Sequence, residues 1–219
     1  MKTKVVSIMA ACFSIISFCA KPAEATLMTI AIEAVVDDVQ DPDNYLNGRI
    51  QIGDVITGTY TYDTDTPDSN PSIYIGMYEH HTSPYGIKLT IGDFVFQSDP
   101  GNIDFLVSVG NAGGPYERDN YLIRSYNNLG LYDDVPIPIN HIMWQLDDES
   151  ASAVSSDALP VTPPMLDDWE SVFGLRISAD RMWGIDATVT SVELIPEPAT
   201  LLLLSFGGTI LARTRLRKR

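Results

Sequence analysis

One short loop of the sequence concentrates oxygen atoms of the kind that calcium prefers. The eight residues DTDTPDSN contain three carboxylates and one amide, those of Asp63, Asp65, Asp68 and Asn70. Calcium takes about six to eight oxygen ligands, so this loop is a candidate site. Its spacing is not that of an EF-hand, which has a glycine at the sixth position and a glutamate at the twelfth. The same residue types also build ordinary turns between strands, and both interpretations stand on the sequence alone.

Other acidic clusters could supply the carboxylate pair of a glycoside-cleaving enzyme, which needs two acids at a set separation across the scissile bond. These clusters comprise Asp37, Asp38, Asp41, Asp43, Asp133, Asp134, Asp147, Asp148 and Glu149. No spacing determines which two would meet, and 27 acids between residues 26 and 196 make chance neighbours expected. A glycoside-active enzyme is therefore only the second alternative to the main interpretation, and we expect the protein not to be an enzyme.

The three histidines and the serines give little support for catalysis. His80 and His81 are adjacent, so on a strand they would point to opposite faces and would not bind one metal ion together. A zinc site with His141 would need further strong ligands. The sequence contains no G-x-S-x-G elbow, phosphate-binding loop or dinucleotide fingerprint. No catalytic residue is predicted.

Aromatic residues are the other candidates for binding, because exposed rings can stack on sugars. Trp144 and Trp183 lie within strand patterns and are predicted to be core residues, whereas Trp169 lies outside them. Four tyrosines could face either the core or solvent. These are Tyr60, Tyr62, Tyr116 and Tyr132.

The charge of the chain is distributed unevenly. Between residues 26 and 196 there are six Lys or Arg against 27 Asp or Glu, a net charge of −21, while both ends are basic. A body this acidic repels phosphate backbones, so no nucleic-acid partner is expected.

The N-terminus has the three parts of a secretory signal peptide over residues 1–25. Lys2 and Lys4 form a basic start, residues 5–20 are apolar, and Ala23-Glu24-Ala25 is a small-x-small cleavage site. Both cysteines, Cys12 and Cys19, lie in this segment, so the mature protein would have no thiol or disulfide. A lipidated Cys19 is disfavoured by the bulky Phe18 before it.

The C-terminus has an apolar run, residues 199–212, followed by a basic tail, residues 213–219. Fourteen residues make about 21 Å of helix against a hydrocarbon core of about 30 Å, which is a marginal membrane span. The basic residues would hold the end of the chain on the cytoplasmic side. They are Arg213, Arg215, Arg217, Lys218 and Arg219.

Residues 195–219 resemble the PEP-CTERM sorting signal. The resemblance rests on Pro196-Glu197-Pro198, the Leu-rich run that contains Gly207-Gly208, and the Arg-rich end. It implies that exosortase, a membrane transpeptidase, recognises residues 196–198, and that residues 199–212 are a transient inner-membrane anchor. It also implies export to the outer surface or the extracellular matrix of a Gram-negative producer of exopolysaccharide.

The body, residues 26–194, shows the period-two patterning of strands with turn residues about every ten to fifteen positions. Gly92-Asp93 between two such runs predicts a hairpin with a type II′ turn. The expected fold is all-β, an antiparallel β-sandwich of jelly-roll type in one domain. The stretch 53–71 also resembles a segment of uncharacterised PEP-CTERM β-domains, which implies no activity.

These observations predict a secreted envelope or matrix protein with a structural or adhesive role near exopolysaccharide. A calcium-assisted carbohydrate-binding module is the alternative, with Asp63, Asp65, Asp68 and Asn70 as ligands and calcium as the one cofactor considered.

Overall fold

The computed structural model describes residues 27–113 and 117–196, and this part of the chain is almost entirely β-structure. It contains twelve strands and one short 3₁₀ helix, Leu166–Asp168. The strands are β1 (Leu27–Gln40), β2 (Val55–Asp63), β3 (Ile75–His80), β4 (Gly86–Ile91), β5 (Phe94–Ser98), β6 (Phe105–Gly110), β7 (Asp119–Ser125), β8 (Asn128–Tyr132), β9 (Val135–Ile137), β10 (His141–Asp148), β11 (Ser171–Ala179) and β12 (Trp183–Ile195).

All twelve strands belong to one antiparallel sheet in the order β3-β6-β7-β10-β11-β12-β1-β2-β4-β5-β8-β9. The prediction of an all-β antiparallel fold is confirmed. A sandwich of two separate sheets was expected, whereas the strands here form a single ladder. Its middle is formed by the two longest strands, β1 and β12, whose pairing is interrupted by register shifts at Glu33/Ala34 and Val36/Asp38. Such bulges bend and twist a strand, so the sheet curls instead of dividing.

The curl brings the two halves of the sheet face to face around one core. The Tyr60 hydroxyl on β2 lies 3.2 Å from the Tyr121 hydroxyl on β7. On the other side of the core, the ring of Phe96 on β5 lies 5.5 Å from that of Trp183 on β12. Trp144, on β10, is fully buried between these halves. Burying each large apolar side chain contributes about 1.5–3 kcal/mol, which makes the alternating pattern of the strands the main source of stability.

Three strands were not predicted from the sequence, and each has a physical reason. β3 contains Gly76, where a Cβ atom would lie 2.2 Å from the Asp157 carbonyl oxygen, so packing requires a residue that weakens the strand pattern. β8 and β9 are short, and β9 contains Pro136 and lies at the edge of the sheet, where proline is tolerated. The predicted hairpin at Gly92 joins β4 to β5, and Gly92 has a φ of 54°.

The segments predicted to direct export lie outside the described residues, except for the end of the body. The predicted signal peptide, the anchor 199–212 and the tail 213–219 fall there, as do Glu197 and Pro198 of the sorting motif. Ile195 ends β12 opposite Thr29, and Pro196 follows it. Within residues 27–113 and 117–196, no helix is long and apolar enough to cross a membrane.

Candidate functional site

The strand pair β7–β10 presents two chemically different faces because successive side chains of a strand alternate. Tyr121 and Trp144 point into the core and are buried. Asn120 on β7 and Gln145 and Asp147 on β10 point to the outer face. Asn120 lies directly opposite Asp147 in the ladder, so three polar side chains meet on neighbouring, rigid strands.

These side chains line a groove of about 450 Å³ on the outer face of the sheet. Its described lining comes from strands β3, β6, β7 and β10 and from the loop before β7. The lining residues are Ile75, Ser108, Gly110, Glu117, Arg118, Asn120, Gln145 and Asp147. A volume of this size suits a small ligand or a short segment of a polymer.

Asp147 is the most recessed charge of the groove, with only 3% of its surface exposed. The Asn120 amide donates to its Oδ1 at 2.6 Å, and the Gln145 amide donates to its Oδ2 at 3.1 Å. The Arg118 guanidinium lies 3.8 Å from Oδ2. Hydrogen bonds from these neighbours compensate the cost of removing the carboxylate from water.

The buried carboxylate also fixes the orientation of the two amides. Because Asp147 is an acceptor, the NH2 groups of Asn120 and Gln145 must face it, and their carbonyl oxygens must point away. The NH2 group of Asn120 donates in addition to the Leu146 carbonyl at 3.1 Å. Among the described residues neither amide oxygen has a protein partner, so both are acceptors available to a ligand.

Small residues leave room above the strands. Gly110 has no side chain, and a Cβ atom there would meet the Cβ of Asn120 at 3.4 Å. Ser108 keeps its hydroxyl close to the sheet, since it donates to the Gly76 carbonyl at 3.0 Å. Ile75 supplies an apolar wall. The groove therefore combines the apolar side chain of Ile75 with several convergent polar groups.

The opposite face of the same strand pair carries two fully buried carboxylates that hold loops. Asp119 accepts hydrogen bonds from the backbone amides of Ala112 and Val154, at 2.7 and 3.0 Å. It thereby joins the loop that carries Glu117 and Arg118 to the long loop after β10. The groove is thus supported from below by charge-assisted hydrogen bonds.

Asp148, directly opposite Asp119, fixes the start of that long loop. Its carboxylate accepts from the hydroxyl of Ser150 at 2.7 Å and from the amides of Ser150, Ser152 and Ala153 at 2.7–2.9 Å. These hydrogen bonds, with that from the Ser150 hydroxyl the largest contribution, lower the pKa of Asp148 from 3.8 to about 2.

The predicted calcium ligands lie elsewhere, in the loop between β2 and β3. Their oxygens accept hydrogen bonds from turns of this loop, from the Tyr85 hydroxyl and from the Met77 amide on β3. Asp63 Oδ1 accepts from the Asp65 amide at 2.9 Å, and Asn70 Oδ1 accepts from the Ser72 amide at 3.0 Å. Asp68 Oδ1 accepts from two backbone amides, both at 2.8 Å, those of Asn70 and Met77. Within the described ranges, no three His, Cys, Asp or Glu side chains are grouped closely enough to hold a metal ion.

Asp68 and Ser69 cover the free edge of β3, the first strand of the sheet. Asp68 accepts the Met77 N–H, and the Ser69 amide and hydroxyl donate to the Met77 carbonyl at 2.9 and 3.1 Å. An unpaired edge is a template for association with another chain, and this loop blocks it. The prediction of calcium binding by Asp63, Asp65, Asp68 and Asn70 stays a prediction.

The two adjacent histidines point to opposite faces, as predicted. His80 is buried, where its Nε2 accepts from the Asp63 amide at 3.1 Å and from the Thr66 hydroxyl at 3.0 Å. Its Nδ1–H donates to the Tyr78 carbonyl at 3.1 Å, so the ring is neutral. Burial lowers the pKa of His80 from 6.5. His81 is exposed, between Glu79 and Asp104.

The aromatic residues mostly form core and not a binding platform. Trp144, Trp183, Tyr60 and Tyr62 are buried, which confirms the prediction for the two tryptophans. Trp169 is 8% exposed beside the long loop after β10, in a second cavity of about 310 Å³. Tyr132 stacks on Phe94 at 4.5 Å. Tyr116 lies outside the described residues.

Sequence reasoning named Asp147 only as one acid among many and missed Asn120 and Gln145. A signal was present, because in NYLIR and MWQLD polar residues alternate with buried aromatic and aliphatic ones. That pattern indicates strands with one apolar and one polar face. It does not indicate that the two polar faces are neighbours, since this depends on the pairing of Asn120 with Asp147, which are 27 positions apart in the sequence.

The chain matches no known family model, no curated protein and no solved structure.

Proposed function

We propose that the protein is exported to the cell envelope or extracellular matrix, where it has a structural or adhesive role and holds exopolysaccharide in the groove around Asp147. In this proposal residues 1–25 direct export across the inner membrane. Residues 199–212 anchor the chain until exosortase acts at residues 196–198, and the body then reaches the outer surface or the matrix. The order of the two basic ends and the acidic body supports this route.

The observation that carries the binding role is the set of fixed polar groups in an open groove. Sugars present many hydroxyl groups at short intervals and have apolar ring faces. Two oriented amide oxygens, a guanidinium and a carboxylate can exchange hydrogen bonds with hydroxyls, and Ile75 can contact a ring face. Because the amides are held by Asp147, little side-chain entropy is lost on binding.

Affinity electrophoresis of the full chain in mild detergent, through gels that contain dissolved polysaccharide, tests this role. We expect retardation by at least one polysaccharide and its loss in Gly110→Trp, which fills the groove from its floor. Gly101→Trp is the matched control, since Gly101 is exposed and its Cβ would meet only Asp99. Retardation that Gly110→Trp retains would exclude the groove, and no retardation by any polysaccharide would exclude the binding role.

The export route has a separate test in cells that contain exosortase. Replacing Pro196, Glu197 and Pro198 with alanine should stop processing, and the unprocessed chain should accumulate in the inner-membrane fraction. Replacing Thr188, Thr190 and Ser191 with alanine is a control upstream of the motif. Normal surface delivery of the motif variant would contradict the proposed route.

A glycoside-active enzyme is a second candidate, because Glu117 and Asp147 bring two carboxylates to the same groove. Glycoside hydrolysis uses such a pair. Prolonged incubation with any polysaccharide that the chain retains, followed by a reducing-end assay, decides the question. Release that Glu117→Gln abolishes would establish hydrolysis.

Calcium-assisted binding remains the alternative form of a binding module. Its ligands would be Asp63, Asp65, Asp68 and Asn70, and none of these is among the described residues that line the groove. Calcium would therefore act on the β2–β3 loop and not directly on a sugar in the groove. Retardation in gels that contain calcium, compared with retardation in gels that contain EDTA, distinguishes calcium-assisted binding from calcium-independent binding.

A further inference from the structure

We infer that the groove selects uncharged glycans and rejects those built from uronic acids. This inference rests on the proposed function, since it assigns a ligand class to the same groove. It depends on three features of the groove: the sign of its charge, the hydrogen-bonding groups that remain available, and the position of Arg118.

The groove has a negative charge and lies on a strongly negative body. Glu117 and Asp147 contribute two carboxylates against the one guanidinium of Arg118. The rest of the body adds to this field, since residues 26–196 have a net charge of −21. A ligand with one carboxylate on each sugar unit would be repelled both on approach and in the groove.

The groups that the protein leaves available are mainly acceptors. The amide nitrogens of Asn120 and Gln145 are directed at Asp147, which leaves their carbonyl oxygens for the ligand. Glu117 adds a carboxylate, which is also an acceptor. A sugar hydroxyl can donate a hydrogen bond to these groups. An ionised uronate carboxylate has no donor, so its oxygens would face the acceptor oxygens of the groove without a hydrogen bond between them.

Arg118 is the one described cation of the groove that could compensate a uronate. Its Nη1 lies 3.8 Å from Asp147 Oδ2, so part of its charge already serves the recessed carboxylate. Pairing with a ligand carboxylate would draw Arg118 away from Asp147, which is almost inaccessible to water. The guanidinium is therefore better suited to donate a hydrogen bond to a neutral hydroxyl than to neutralise an acid.

The test compares two polysaccharides with the same backbone, polygalacturonate and its carboxyl-reduced form, in affinity electrophoresis of the full chain in detergent. Dextran, mannan and xylan complete an uncharged panel. We expect at least one uncharged polysaccharide to retard the chain, and polygalacturonate to bind about tenfold or more weakly than its reduced form at low salt. Raising the salt concentration should narrow this difference, because screening weakens the repulsion.

The variant Glu117→Lys makes the charge of the groove positive and should increase retardation by polygalacturonate. Glu193→Lys, on the exposed end of β12 and outside the groove, changes the net charge equally and should have no such effect. Equal or stronger binding of polygalacturonate by the unmodified chain would overturn the inference while leaving the binding role intact. An equal response of the two lysine variants would also overturn it. No retardation by any polysaccharide would overturn the proposed function, and the inference with it.

Discussion

Asp147 and Asp148 are neighbours in the sequence and both are buried, but they lie on opposite faces of β10 and accept hydrogen bonds from different kinds of donor. Asp148 faces the core side of β10 and accepts hydrogen bonds from backbone amides and hydroxyls of residues 150–153. Asp147 faces the outer side, and its donors are the side chains of Asn120 and Gln145. A carboxylate that accepts from nearby backbone amides holds a loop, whereas one that accepts from side chains fixes the orientation of those side chains.

The same difference is repeated across the ladder and extends to the predicted calcium loop. Asp119 pairs with Asp148 and holds a loop, whereas Asn120 pairs with Asp147 and lines the groove. Asp68, which binds the amides of Asn70 and Met77, belongs with the loop-holding acids. An acid-rich segment in the sequence can therefore indicate either of two things: a loop whose backbone amides need acceptors, or a binding site.

The largest effect on stability is expected for Asp119→Ala. The substitution leaves the partly buried amides of Ala112 and Val154 without this acceptor, and such a loss costs a buried group about 1–3 kcal/mol. The midpoint of thermal unfolding should fall by roughly 5–15 °C for a domain of this size. Asp119→Asn retains an acceptor oxygen and should recover part of the loss. An unchanged midpoint for the alanine variant would show that the two loops are held by other contacts.

A crossed comparison of Asp147→Asn and Asp148→Asn tests the division between the two faces. In Asp147→Asn an NH2 group replaces an acceptor, so the orientation of the Asn120 and Gln145 amides is disturbed. Polysaccharide binding should weaken by about tenfold or more, with a smaller change in the unfolding midpoint. In Asp148→Asn the midpoint should fall and binding should change less. Affinity electrophoresis measures polysaccharide binding by each variant, and thermal melts measure each unfolding midpoint. If the two variants changed binding equally and also changed the midpoint equally, the division between the two faces would be wrong.

The pH dependence of stability separates the two histidines in the same way. The pKa of buried His80 is lowered by desolvation, so the unfolded chain binds a proton below about pH 6.5 while the folded chain does not. Stability from this residue is complete above that pH and is lost as the pH falls towards the lowered pKa. The Asp63 carboxylate and the rings of Tyr62, Tyr85 and Phe105 are its neighbours.

Thermal melts between pH 7.5 and pH 5 measure this dependence. The unfolding midpoint should fall with pH, by less than in Asp119→Ala, and His80→Gln should flatten the profile at the cost of a lower midpoint at pH 7.5. His81→Gln is the matched control, because His81 is exposed on the other face. The same slope in His80→Gln as in the unmodified chain would assign the pH dependence to other groups.

The sequence predicted most of the fold because period-two patterning is a local property. The runs around Tyr60, Trp144 and Ile185 alternate, and each forms a strand with its large apolar residues inward. β3 and β9 were missed since Gly76 and Pro136 weaken the local pattern, and each is tolerated for a tertiary reason, close packing or an edge position. Tertiary context overrides propensity at such positions.

The groove could not be predicted to the same extent, since it depends on pairing and curvature. Asn120 and Asp147 meet only because β7 and β10 are paired in one particular register. A slip of one residue would turn both side chains to the other face. The single curled sheet likewise depends on the two bulges in the β1–β12 pairing, at Asp37 on β1 and Thr190 on β12, which no local sequence pattern predicts. The acid-rich loop is apparent in the sequence because its residues are contiguous, whereas the groove residues come from four strands and a loop.

The smallest effect is expected in that acid-rich loop, where calcium and the edge-covering role of Asp68 give opposite predictions. Because Asp63, Asp68 and Asn70 already accept backbone amides, millimolar calcium should move the unfolding midpoint by less than about 1 °C, whereas a real site would stabilise the folded state. Asp68→Ala should instead uncover the Met77 edge and promote association, seen as a concentration-dependent increase in mass by light scattering. Asp65→Ala, in the same loop and without a contact to β3, is the control. If calcium raised the unfolding midpoint by several degrees and Asp68→Ala abolished this rise, the loop would be a metal site. Acids that hold loops could then not be distinguished from acids of a binding site by their hydrogen-bond donors alone, because Asp68 would have both roles.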